Sequence, residues 1–194
     1  MPAVDPITAV HQAVEARLRT AFAAARWSFE LIPSPMTIDE FKAIVMKSTP
    51  WLGFAWRSIE PDANAGRTIT GRLGFTLTIV VKNQGRAARF LGDRLGPGLY
   101  ASALAAAALL HGLTVADVGT LAVTRAASAF ADGWSDMSIA IATVDVDVGV
   151  DLSDALAAIA TSDDFLRLVT AWDLDSADGQ AAGEPTDTIL PRGS

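Results

Sequence analysis

The chain has 194 residues, about half of them hydrophobic, with a formal net charge of −7 and no cysteine. That length gives one domain of ordinary size with ample core material, and the missing thiols exclude disulfides and thiolate metal sites. No membrane contact is expected: the longest apolar run, Leu99–Leu110, is mostly alanine and too short to span a bilayer.

In chain order, the first expected element is an amphipathic helix over Pro6–Ala25. Val10, Val14, Leu18 and Phe22 recur every four residues, Asp5 suits the N-cap, and Pro6 suits the first turn. His11, Glu15, Arg17 and Arg19 interrupt this stretch, so it lacks the order of a signal peptide. Leu31-Ile32-Pro33-Ser34-Pro35 reads as an extended connector. Thr37-Ile38-Asp39-Glu40 has capping-box form and opens a short second helix that ends at Pro50.

Two strands are expected next. Trp51–Glu60 stops at the turn sequence Pro61-Asp62-Ala63-Asn64, and Thr68–Lys82 shows the cleanest alternation of apolar and polar residues in the chain. Gly71 and Gly74 allow a bend or bulge there. A loop over Asn83–Gly96 leads to a slim alanine helix from Pro97 to about His111, with Gly112 as its C-terminal stop. Leu121–Phe130 and Met137–Leu152 then form a strand pair joined near Asp132-Gly133. A further helix is expected near Ser153–Ala160 or Asp163–Ala171. The order of elements favours an α+β fold: a small, mostly antiparallel four-stranded sheet flanked by helices. Residues 1–175 make the domain, and 176–194 an acidic, extended arm.

Catalysis finds no foothold. The histidines, His11 and His111, stand alone on helices, where a partly exposed surface position is the ordinary expectation. No HExxH, Walker-type or GxGxxG motif is present. The glycines of Gly92-Asp93-Arg94-Leu95-Gly96-Pro97-Gly98 precede a helix but lack the lysine and hydroxyl pair that a nucleotide and its magnesium require. No metal or cofactor is expected, and the chain reads as a non-enzyme.

Charge is the more informative signal. Residues 1–130 hold 13 basic and 9 acidic residues, a net of +4; residues 131–194 hold 2 and 13, a net of −11. Val144 to Asp151 alternates valines with Asp145, Asp147 and Asp151, placing three carboxylates on one strand face. A calcium site would need a turn and more oxygens, so a solvated acidic face, or one that meets positive charge, is the default. Lys82, Arg86, Arg89 and Arg94 form a basic cluster on the preceding loop. Only Phe90 interleaves, which is too little for nucleic-acid stacking, so contact with an acidic protein surface is favoured. These seven charged residues are the candidate interface to other subunits or partners.

The succession of pieces resembles the Mu-like bacteriophage tail terminator family across residues 7–175. The carrying residues are Val14–Leu18, Pro50–Ala55, Phe75–Val81 with Asn83–Arg89, Gly98-Leu99-Tyr100 and, above all, Asp164–Leu174. The resemblance implies a small sheet flanked by helices and a ring, commonly hexameric, that caps the tail tube and offers a surface for joining the head. Its partners would be copies of itself, the tail tube protein, and in a contractile tail the sheath and the neck or connector protein. DNA would pass through the lumen without specific binding. The location implied is the head-proximal end of the tail in the virion, after assembly in the host cytoplasm. Another head–tail connector or neck ring protein is the near alternative. A small-molecule or peptide-binding α+β domain is the alternative from a different class.

Overall fold

The computed structural model describes residues 5–32, 38–47, 49–63, 70–94, 96–129 and 138–152. Helix α1 spans Pro6–Arg19. The Asp5 carboxylate caps it, accepting from the Thr8 backbone N–H at 2.8 Å. Burial works against the ionised Asp5, but hydrogen bonds from Thr8 and Ile7 outweigh it and hold the carboxyl below its usual value. The helix ends six residues short of the expected Ala25. There the Thr20 hydroxyl donates to the Arg17 carbonyl, and the Ala21 and Phe22 N–H groups both turn back to Leu18. Phe22 stays in the core beyond that turn by meeting Trp27 edge to face.

Strand β1, Ser28–Leu31, pairs in parallel with β2, Trp51–Pro61, and helix α2, Ile38–Lys47, lies between them in the chain. Strand β3, Thr70–Lys82, runs antiparallel to β2. After β3 come α3 (Arg86–Leu91), a two-residue pair β4 (Gly92–Asp93) and β5 (Gly96–Pro97), and α4 (Leu99–Leu110). The chain continues through β6 (Thr114–Val115), β7 (Gly119–Ala129) and β8 (Ile139–Asp151). The main sheet has the order β1-β2-β3-β8-β7-β6.

This overturns the expectation of a four-stranded sheet flanked by helices: the main sheet is six-stranded and mixed, beside a separate two-stranded one, with few helices. The four expected strands are the central four. Both additional strands are edges, short and without clear alternation, which is why their sequence carries no strand signal. β1 precedes the connector expected at Leu31–Pro35 and pairs in parallel, an arrangement that depends on the α2 crossover rather than on local pattern. The expected Asn83–Gly96 loop is also structured, holding α3 and the β4–β5 pair. Pro97 belongs to β5, so α4 begins at Leu99. The capping residue Thr37, the Asp132-Gly133 turn, the helix near Ser153–Ala171 and the arm from Ser176 lie outside the described residues.

Two cores result from the two faces of the sheet. On one, Leu52, Phe54, Leu73, Phe75, Leu77, Ile79, Val144, Val146 and Val148 pack with Val10, Val14 and Leu18 of α1 and with Leu99, Ala106 and Leu110 of α4. Strand β8 alternates without fault, its valines buried and Asp145 and Asp147 on the other side. The second face is apolar at one end only, where Trp51, Val80 and Ile139 are buried with Phe41 and Ile44 of α2. Each full burial of a Leu or Phe stabilises by roughly 1.5–3 kcal/mol, so the α1–α4 face dominates.

His11 belongs to that dominant core, contrary to the surface position expected of a lone helical histidine. It is 7% exposed and meets the rings of Phe54 and Phe75 edge to face at 4.9 and 5.7 Å. Burial holds its pKa below the ordinary imidazole value, offset only in part by the Asp5 carboxylate. The unfolded chain therefore binds the proton first as pH falls. Stability is fullest above the ordinary value of about 6.5 and is lost as pH drops through it toward the lowered folded value. Urea midpoints measured at about pH 7.5 and about pH 5.5 should show that loss. The same loss should be smaller in His11→Leu.

Candidate functional site

The open end of the second face carries the aspartates. Asp145 and Asp147 project from β8 beside Thr76 and Gly74 of β3, their partners in the ladder. Like charges two residues apart on one face repel, and β2 supplies the cation that offsets this. A register shift between Trp56 and Ser58 makes Arg57 the extra residue of a bulge. Its guanidinium crosses β3 to reach Asp147 at 3.1 Å and Asp145 at 3.8 Å. Gly74 leaves the room for this crossing: a Cβ there would stand 2.8 Å from the guanidinium and 2.9 Å from the Ser58 hydroxyl, so both side chains would have to shift. The Thr76 hydroxyl donates to Asp145 at 2.8 Å. Arg125 of β7 stands opposite Asp145 on the far side and is exposed.

The Arg57 side chain is 43% exposed, so the bridge is worth only about 0.5 kcal/mol. Its geometry makes a sharper test than its size. Gly74→Ala and Arg57→Met should each destabilise slightly and fail to add, because either one removes the same contact. A double-mutant cycle on urea midpoints reads that coupling.

The expected interface residues fall into two groups at different places. Lys82 ends β3, Arg86 opens α3, and Arg94 follows β4, all three exposed. Arg89 is half-buried, and its Nε has no hydrogen-bond partner among the described residues. Asp145 and Asp147 lie on the open face, already engaged by Arg57 of their own chain. Asp151 closes β8 opposite Thr70, at the far end of the sheet from Lys82, which faces Ile139. Thirteen residues of β3 separate the two ends, about 40 Å of extended chain.

Beside Lys82 opens a cavity of about 410 Å³, bounded by the turn after α1, Pro50, the end of β3, α3 and β5. Trp27, Pro50, Val81 and Pro97 give it an apolar floor, and Arg26 and Lys82 stand among its lining residues. The other prominent surface is apolar. Helix α4 presents Leu99, Ser102, Ala106 and Leu110 inward, and the Ser102 hydroxyl is satisfied by the Gly98 carbonyl. Its outer side carries Tyr100 and Leu104, 51% and 71% exposed, one turn apart. Beside this ridge Phe90 of α3 packs against Tyr100 where the two helices meet, and Leu91, next in the chain, is 72% exposed.

Arg57, the cavity and the ridge escaped sequence reasoning. Gly74, placed where a polar residue belongs in the β3 alternation, was the signal available for Arg57. Nothing local marks the cavity, which five separate stretches of chain assemble.

Among the described residues no group of three histidines, aspartates or glutamates could hold a metal ion, and no helix is long and apolar enough to cross a membrane. No protein-family model matches the chain, and no curated protein matches it. Among solved structures, a chain described as "Virion of native gene transfer agent (GTA) particle" is similar, with a TM-score of 0.47 and 14% identity over 77% of this chain and 99% of that one.

Proposed function

We propose that the chain is a structural, non-catalytic component of a phage-type particle, a tail terminator that closes into a ring and caps the tail tube. The observation that carries this is the outer side of α4: Tyr100 and Leu104, one turn apart, expose large apolar side chains together, a surface suited to protein contact rather than to water. Charge supports the same conclusion. A basic end and an acidic portion of one chain suit a heterologous contact, in which one surface of a copy meets a different surface of the next and the assembly closes by rotation. The ordered sequence resemblance to tail terminators is what supports a position at the end of the tail rather than elsewhere in the particle. The residues that hold the charged face are paired with one another in a geometry that holds a surface in shape, and among the described residues no nucleophile, base and oxyanion donor set converges on a reacting atom.

Adding the purified chain to growing tail tubes is the functional test. Tubes that stop lengthening and carry a disc of density at one end support a terminator; tubes that elongate unchanged contradict it. Leu104→Lys should weaken capping while leaving the unfolding free energy of the single chain, read from urea titration, within about 0.5 kcal/mol of the wild type, because Leu104 is exposed in the single chain. The cavity favours a second reading, a peptide-binding domain, which a chain that stays monomeric and ignores tubes would support.

A further inference from the structure

We propose that the outer edge of β7 pairs with the outer edge of β1 of a second copy, so that copies of this chain join sheet to sheet through an antiparallel ladder; this rests on the ring reading above. Both strands leave backbone unpaired. Strand β6 covers only Gly119 and Thr120 of the 11 residues of β7. Leu121 and Val123 are then held by Gly112, Leu113 and His111. From Thr124 to Ala129 no described residue pairs with the outer edge. Likewise β1 bonds to β2 on one side, and no described strand lies on its other. Such an open row of N–H and C=O groups is a template for another strand, and edges meant to stay free are commonly guarded by lysine or proline. Arg125–Ala129 holds neither, and its single charge stands among small residues.

The two edges fit each other. Arg125 stands opposite Asp145, on the open face. Glu30 stands opposite Gly53, between the core-facing Leu52 and Phe54, and so shares that face. Both are exposed. On the other face β1 offers Leu31, 64% exposed, and β7 offers the small, exposed Ala126 and Ser128. A register with Arg125 opposite Glu30 joins opposite charges on one face and lays Leu31 beside small residues on the other. Direction selects a copy as the partner. β1 and β2 run one way, β3 the other, β8 with β2, and β7 against β8, so β7 runs opposite to β1. A copy carried round an axis roughly along the strands keeps its direction and its faces, and therefore brings its β1 antiparallel to β7. The contact joins two different edges, which is heterologous, and a closed ring leaves neither edge open. Helix α4 packs over β7 and β8, so the added copy lies next to the helix that exposes Tyr100 and Leu104.

The chain has no cysteine, so single introduced cysteines report the junction without background. In the register above Ser28 of one copy stands opposite Ala127 of the next, and residues so placed are about 4.5–5.5 Å apart at Cα, within reach of a disulfide. The full chain carrying Ser28→Cys is mixed with the full chain carrying Ala127→Cys and oxidised mildly. A mixed disulfide should form roughly tenfold or more faster than between Ala127→Cys and a control, Glu15→Cys on α1, because pairing raises the local concentration of the two thiols. A chain carrying both cysteines should give covalent species beyond the dimer on non-reducing gels. Arg125→Glu in the Ala127→Cys chain should slow the reaction, and Glu30→Arg in the Ser28→Cys chain should restore it. Disulfides that form only between like chains overturn the proposal in favour of like edges pairing. Wild-type rings by light scattering, with mixed disulfides no faster than the control, overturn the β7–β1 contact while leaving the ring intact. A wild-type chain of monomer mass with no mixed disulfide overturns the contact together with the ring.

Discussion

Phe75→Ala is expected to lower the free energy of unfolding by about 3–5 kcal/mol, a large part of the roughly 5–15 kcal/mol available to a domain of this kind. Phe75 sits fully buried on β3 and stacks on Phe54 at 5.3 Å. Its edge side receives His11 of α1. The truncation therefore opens a cavity where sheet and helix meet, and the long strands on either side cannot collapse to fill it. Thr78→Ala, on the other side of the same strand, should cost less than about 1 kcal/mol. Urea midpoints of the two variants decide the point: equal losses would mean that the α1–α4 face is not the dominant core.

Gly98→Ala should have the next largest effect, about 1–3 kcal/mol through overpacking. Gly98 is buried at the N-terminus of α4, and a Cβ there would overlap the Gly92 nitrogen and the Phe90 carbonyl, backbone atoms that cannot step aside as a side chain would. Either the β4–β5 pair lifts or the helix start shifts. Both movements disturb Gly96 and Pro97, which line the cavity beside Lys82. Gly112→Ala makes the comparison, since that residue has a φ of +78° and open space around it. Its cost is backbone strain of about 1–2 kcal/mol without damage to the cavity. Chemical shifts of Trp27 and Val81 should move in Gly98→Ala and stay in place in Gly112→Ala.

Central elements were legible in the sequence because their periods are strong. The β3 alternation, the valine and aspartate alternation of β8 and the four-residue stripe of α1 each report a face that packing then uses. Edges were not legible. β1 is held by parallel hydrogen bonds to β2 through Ser28–Leu31, and β6 is only two residues long; neither has room for a pattern. His11 was misjudged for a related reason. A polar residue on a helix is normally solvent-facing, and only the two phenylalanines brought from β2 and β3 make a buried imidazole favourable. Of the charged candidates, the sequence placed the aspartates on the correct strand face but could not supply their partner. Arg57 reaches them through a bulge and across a glycine, a relation between three strands that no local pattern encodes.

The central claim is that this chain assembles with copies of itself through surfaces that the single chain leaves exposed. Light scattering on the purified chain after size exclusion, with negative-stain images of the same fraction, tests it most directly. Closed rings, with a mass that falls toward the monomer in Leu104→Lys, are the expected result. A monomer at every concentration, unchanged by Leu104→Lys and indifferent to tail tubes, would contradict it.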